Sequence, residues 1–128
     1  SALDPLFYAQ KKYEIDEKIN EDCGRNNLSV EIDAFYYLTQ AGKQLILTLV
    51  NHKSKMIMDF QMKENIIDRD YNFILYFIYC INRFGIFNEI YFRNELDQGL
   101  VAYLLKEHNI ESKNSSHLIG IDELINSL

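Results

Sequence analysis

Hard oxygen ligands at strand ends and helix starts are what divalent-metal hydrolysis needs, and a short set of residues could supply them: Asp33, Glu95, Asp122 and Glu123. Arg93 and Asn94 stand directly before Glu95. Gathered in one cleft, such carboxylates would suit Mg²⁺ or Mn²⁺ and the displacement of a phosphoester oxygen. Each also has a plainer reading. Asp33 falls in an alternating run, as an outward strand residue would; Asn94 reads as a helix cap, and Asp122 and Glu123 read as surface charge. The candidate cleft is therefore Asp33, Arg93, Asn94, Glu95 and Asp122, with convergence as the question.

The remaining reactive side chains form no pattern. His52, His108 and His117 share no metal-ligand spacing with one another or with a cysteine. His52 reads as a turn residue, and His108 as a cation at a helix C-terminus. Ser29, Ser54 and Ser112 have no nucleophile-elbow context. Cys80 lies in the most apolar stretch of the chain and reads as core, while Cys23 sits at a polar helix end; both are expected as reduced thiols. No catalytic residue, metal or cofactor is assigned on this basis.

Positioning these residues falls to elements whose boundaries are well marked. Asp4-Pro5 is a helix start, and a narrow apolar stripe suggests a helix over 4–23, closed by Cys23-Gly24. From Leu28 the period changes to two, with Val30, Ile32, Ala34 and Tyr36 alternating with Glu31, Asp33, Phe35 and Tyr37, which describes a half-buried strand. Gln44 to Val50 is apolar on both faces and reads as an interior strand. Met56, Met58, Phe60 and Met62 alternate in a third strand, where the methionine row reads as core. Short turns force these three strands into an antiparallel meander. Asp68 and Gly85 bracket an enclosed helix, Tyr71 to Arg83. Glu89 to Phe92 is a strand, and Asn94 opens a helix with a core stripe of Leu96, Leu100, Tyr103 and Leu104. An edge strand within 111–117 and a last helix through Ile121, Leu124, Ile125 and Leu128 complete the chain.

The expected fold is a single α/β domain over residues 1–128: a three-stranded antiparallel meander followed by alternating helices and strands. It forms a mixed five-stranded sheet with an extra N-terminal helix. Without that helix the order βββαβαβα resembles the ribonuclease H-like fold. The resemblance implies carboxylates around two metals, drawn from the first strand, the first core helix, the end of the fourth strand and the last helix. Here the first core helix, Tyr71 to Arg83, carries no carboxylate. The C-terminal third, from Asn88-Glu89-Ile90-Tyr91-Phe92-Arg93-Asn94-Glu95-Leu96 to Ile121-Asp122-Glu123-Leu124, is similar to a bacterial domain family of unknown function. That similarity places Arg93 and Asn94 at a strand's carboxyl end, where open α/β sheets hold ligands. The meander, helix, strand and helix also resemble an acetyl-coenzyme A dependent acyltransferase. That class needs a Gly-rich pyrophosphate loop, and the corresponding link here, Glu64 to Asp70, has no Gly and several acids.

Composition narrows the partners. With 48% hydrophobic and 25% charged residues the chain is globular, and its net charge of −6 opposes nucleic-acid phosphates and acidic membranes. There is no strong case for nucleic acid or membrane, and the reduced cysteines point to a cytoplasmic protein. Nine Tyr and eight Phe, with no Trp, exceed what a core this small can hold. Tyr36, Tyr37, Tyr71, Tyr76 and Tyr79 are therefore expected to form an interaction surface, for a protein partner or a second copy. The expected role is a non-catalytic binding module, with the acyltransferase and a divalent-metal phosphodiesterase as alternatives.

Overall fold

A computed structural model describes Tyr13 and residues 15–64 and 66–128. The expected N-terminal helix falls mostly outside these residues. Within them, 15–20 have no regular structure and 21–22 form a turn, so helix does not reach Cys23.

The meander consists of β1 (Ser29–Thr39), β2 (Gly42–Asn51) and β3 (Ile57–Glu64), all antiparallel. Then follow α1 (Arg69–Phe84), β4 (Glu89–Phe92), α2 (Glu95–Leu100), α3 (Ala102–Glu107), β5 (Glu111–Asn114) and α4 (Ile119–Ser127). The sheet order is β3-β2-β1-β4-β5, with β4 parallel to β1 and β5 parallel to β4. This is the mixed five-stranded sheet expected from the sequence.

Helix α1 forms because Asp68 accepts from the Tyr71 amide and Gly85 closes the other end. Gly85 has φ +101°, and a side chain there would bring a Cβ to 2.9 Å from the Gly24 carbonyl oxygen. The helix buries Phe73, Ile74, Phe77, Ile78 and Ile81 against Val30, Ile32, Leu45, Leu47, Leu49, Ile90 and Phe92 on one sheet face. Phe92 lies 6.3 Å, centroid to centroid, from both Phe73 and Phe77. Burial pushes the Cys80 thiol up, in keeping with a core residue.

The opposite face carries a smaller cluster, where Leu118 and Ile121 of the α4 region meet Val50, with Phe35, Tyr91 and Ile125 at its margin. Helix α4 is anchored by Glu31 of β1, which is fully buried. Its carboxylate accepts from the amides of Gly120 (3.4 Å) and Ile121 (3.1 Å) and lies 2.8 Å from His52 Nδ1.

Three expectations need correction. The methionine row is only in part core: Met58 packs half-buried against the core, whereas Met56, Phe60 and Met62 are exposed, because β3 is an edge strand and α4 packs on β1 and β2. The inward position belongs to Asp59, whose carboxylate accepts from Tyr76 (2.7 Å) and Arg83 (2.6 Å). The helix from Asn94 is broken at Val101 into α2 and α3, and Leu96 is exposed. The inward place in its first turn is taken by Asp97.

Candidate functional site

Strand β4 ends at Phe92, opposite Ile32 of β1, while β1 runs on. Asp33 and Ala34 therefore lie beyond the parallel ladder, midway along β1 and just past the carboxyl end of β4. Two arginines enter that space, Arg69 from the first turn of α1 and Arg93 from just after β4.

Arg69 Nε and Nη2 both donate to the Ala34 carbonyl, at 2.9 and 2.8 Å, satisfying an acceptor that β4 is too short to reach. The same guanidinium forks onto Asp97, Nη1 to Oδ1 at 2.5 Å and Nη2 to Oδ2 at 2.7 Å. It also meets Asp70 at 3.1 Å and Asp33 at 3.8 Å. Arg93 donates to Asp33 Oδ2 from Nε (3.3 Å) and Nη2 (3.1 Å). Its Nη1 reaches Asp122 Oδ1 at 2.8 Å and the Ser116 carbonyl at 2.9 Å. Asp33 and Asp97 are almost wholly buried, at 4% and 3% exposure.

Asp33, Arg93 and Asp122 of the candidate cleft thus come together. Asn94 does not join them; its side chain accepts from the Asp97 amide and caps α2. Glu95 is exposed and lines a shallow hollow with Gln98, Lys106 and Ser112. Asp33 is corrected from an outward residue to a buried one. Arg69 and Asp97, which complete the cluster, read in sequence only as charges near helix starts.

The expected tyrosine surface is dispersed. Tyr36 and Tyr37 are consecutive in β1 and so point to opposite faces. Tyr76 is buried, its hydroxyl fixed on Asp59. Tyr36 and Tyr79 are exposed and Tyr71 is half-buried beside Tyr13, their ring centroids 6.3 Å apart.

Burial raises the Asp33 carboxyl above its ordinary range, and the charge of Arg93 offsets this only in part. For the two arginines, burial works against the charge. Asp97 outweighs it at Arg69, and Asp33 and Asp122 outweigh it at Arg93, leaving both above their ordinary values. Because Asp33 is raised in the folded state, the stability it contributes is full below the ordinary carboxylate pKa of about 3.9 and falls as pH rises through its higher folded value. Asp33→Asn removes this dependence. Melting curves should show wild type losing ground to the variant as pH climbs from about 3 past that ordinary value, the direction set by the upward shift.

A two-metal site would need these carboxylates as free ligands. Instead Asp97 has both oxygens on Arg69, Asp33 accepts from Arg93 at Oδ2 and from the Ala34 amide at Oδ1 (2.9 Å), and Asp122 holds Arg93. Mg²⁺ demands near-octahedral oxygen ligation, and two fixed positive charges stand where the cation would be drawn. The donor set does not fit a resident divalent metal. Among the described residues no group of three His, Cys, Asp or Glu is arranged to hold one.

Solved structures that the chain resembles include retroviral integrase catalytic cores. The HTLV-2 integrase catalytic core domain in complex with magnesium matches in its dimeric form with a TM-score of 0.57 and 16% identity, over 79% of this chain and 66% of that one. The trimeric form gives 0.57 and 17%, over 80% and 68%. The simian T-cell lymphotropic virus intasome in complex with PP2A regulatory subunit B56 gamma gives 0.57 and 13%, over 86% of this chain and 40% of that chain. The chain spans about two thirds of the integrase core chains and under half of the intasome chain. At these identities the likeness is one of fold, and the fold is ribonuclease H-like, as the element order indicated. Within that class the chain belongs to the family described as Domain of unknown function (DUF6930), whose model matches residues 17–128. No curated protein matches the chain in sequence. No helix among the described residues is long and apolar enough to cross a membrane.

Proposed function

We propose that this domain is a ribonuclease H-like fold that acts by binding a protein, without metal-dependent phosphodiester chemistry. The observation that carries the reading is the pair of guanidinium groups, Arg69 and Arg93, seated in the carboxylate cluster beside mid-β1, past the carboxyl end of β4. They supply from within the chain the positive charge that a metal would bring. Arginine cannot be titrated away at physiological pH, so the positive charge of the cluster persists there. A binding role is supported by the side chains left outside the core, with Ile57, Phe60 and Met62 in a row on one strand. The HTLV-2 integrase catalytic core is solved in both dimeric and trimeric forms, which makes association worth testing here.

The convergence of Asp33, Asp97 and Asp122 favours the divalent-metal phosphodiesterase as a second reading, and one experiment separates the two. Thermal melts with Mg²⁺ or Mn²⁺ at about 10 mM, far above what a resident site needs, should leave wild type unmoved. Arg93→Ala frees Asp33 and Asp122 and is expected to acquire a metal-dependent rise in melting temperature. A rise in wild type that Asp33→Ala abolishes, together with cleavage of single- or double-stranded nucleic acid, would overturn the non-catalytic reading.

A further inference from the structure

Strand β3 is the edge of the sheet on the side away from β4 and β5. Among the described residues its outer backbone groups meet no partner strand, and such an edge is a template for another strand. The β-bulge in the β2–β3 ladder falls at Leu49/Val50, near the start of β3, leaving Asp59 to Glu64 regular.

The ladder fixes which side chains share a face. Phe60 lies beside Thr48 and Asp33, and Met62 beside Ile46 and Phe35, on the α4 side of the sheet. Phe60 is 38% exposed and Met62 48%. On the α1 side lie Asp59, beside Leu49, and Lys63, beside Leu45. Asp59 is pinned by Tyr76 and Arg83, whereas Lys63 makes no hydrogen bond or ion pair with a described residue.

We infer that β3 pairs antiparallel with β3 of a second copy of this chain, about a two-fold axis at Gln61, extending the sheet across two protomers. This rests on the reading of the domain as a binding module and names its partner. The register follows from charge and apolar matching. Centred on Gln61, each Asp59 faces the other copy's Lys63, and each Phe60 faces the other copy's Met62. Opposed side chains in such a ladder come within ~5 Å, close enough for both contacts to form. Centring on Phe60 sets Asp59 against Gln61 and Lys63 against Ile57. Centring on Asp59 opposes two carboxylates. A one-residue slip puts the apolar side chains on the wrong face. Because each copy carries a net charge of −6, undirected association is repelled, and the locally matched pair of Asp59 and Lys63 selects this edge.

Sedimentation velocity on the full chain, up to about 200 µM to reach the weak end of specific interfaces, should show a concentration-dependent dimer. Phe60→Lys should leave a monomer, and Lys63→Glu should weaken association by about tenfold through like charges directly opposed. Leu96→Lys, at a more exposed apolar site elsewhere, should change nothing. Gln61→Cys should form an intermolecular disulfide on mild oxidation, since the two copies of that residue face each other. A wild-type monomer throughout, a dimer indifferent to Phe60→Lys, or no cross-link at Gln61→Cys would overturn the inference. Loss of the dimer with metal titration still silent removes this partner alone, whereas a metal response removes the reading it rests on.

Discussion

Arg69→Met is expected to destabilise the domain by about 3–5 kcal/mol, the range found when one partner of a buried ion pair is removed. The substitution keeps an unbranched, flexible and apolar stem and deletes every donor. Asp97, 3% exposed, then loses both its carboxylate hydrogen bonds, and the Ala34 carbonyl loses both of its own. Asp33 loses a positive charge at 3.8 Å while its carboxyl is already pushed up by burial. Arg93→Met should cost less, because its second partner, Asp122, is 36% exposed and keeps its hydration. Urea titration measures both. The double variant Arg69→Met with Asp97→Leu should recover much of the loss, since an apolar pair of similar volume replaces an ion pair at little cost. If the double variant is as unstable as the sum of the singles, the two side chains do not act as a unit.

What the sequence disclosed and what it hid divide along the range of the signal. Asp68 and Gly85 bracket α1 as expected, and the change of period at Leu28 marks β1, because caps and alternation depend on neighbours a few residues away. The order of elements then led to the ribonuclease H-like topology. The site was only half visible. Asp33 was a candidate on position, yet its burial depends on Arg93, sixty residues on, and on Arg69. Alternation placed Asp33 and Glu31 on one face of β1 but could not say that α4 and two guanidiniums would cover it. The same limit explains Asp97 and Leu96. A helix stripe puts the leucine inward, and the demand of Arg69 for a carboxylate turns the aspartate there instead. On β3, alternation held only from Asp59 onward and assigned the wrong face to the core, because a bulge and a strand's place at the edge are properties of the whole sheet.

The last large effect lies across the sheet from α1. Helix α4 begins at Leu118, which offers no side-chain cap, so the amides of its first turn must find acceptors elsewhere. Glu31, fully buried in β1, supplies them from 89 and 90 residues away. Its negative charge sits at the positive end of the helix, and His52, stacked on Tyr91 at 3.9 Å between ring centroids, closes the remaining side. Lys55 Nζ stands 3.9 Å from the same carboxylate, held there by the His52 carbonyl. Glu31→Ala removes all of these contacts and leaves two buried amides without an acceptor, so a loss of about 3–5 kcal/mol is expected, with α4 released first. Glu31→Gln keeps an oxygen for one amide and should lose about half as much, a neutral acceptor being worth less than a charged one. Amide hydrogen exchange resolves the order of events: in Glu31→Ala, residues 119–127 should exchange well before α1, whereas uniform loss of protection would show that α4 does not detach on its own. The close approach has an independent signature at Gly120, where an added Cβ would lie 2.6 Å from Val50 Cγ1 and 3.4 Å from both oxygens of Glu31. Gly120→Ala should therefore also loosen α4. Val50→Ala should partly rescue it by removing the nearer obstacle, and additive losses in the double variant would show that the helix is held somewhere other than at this contact.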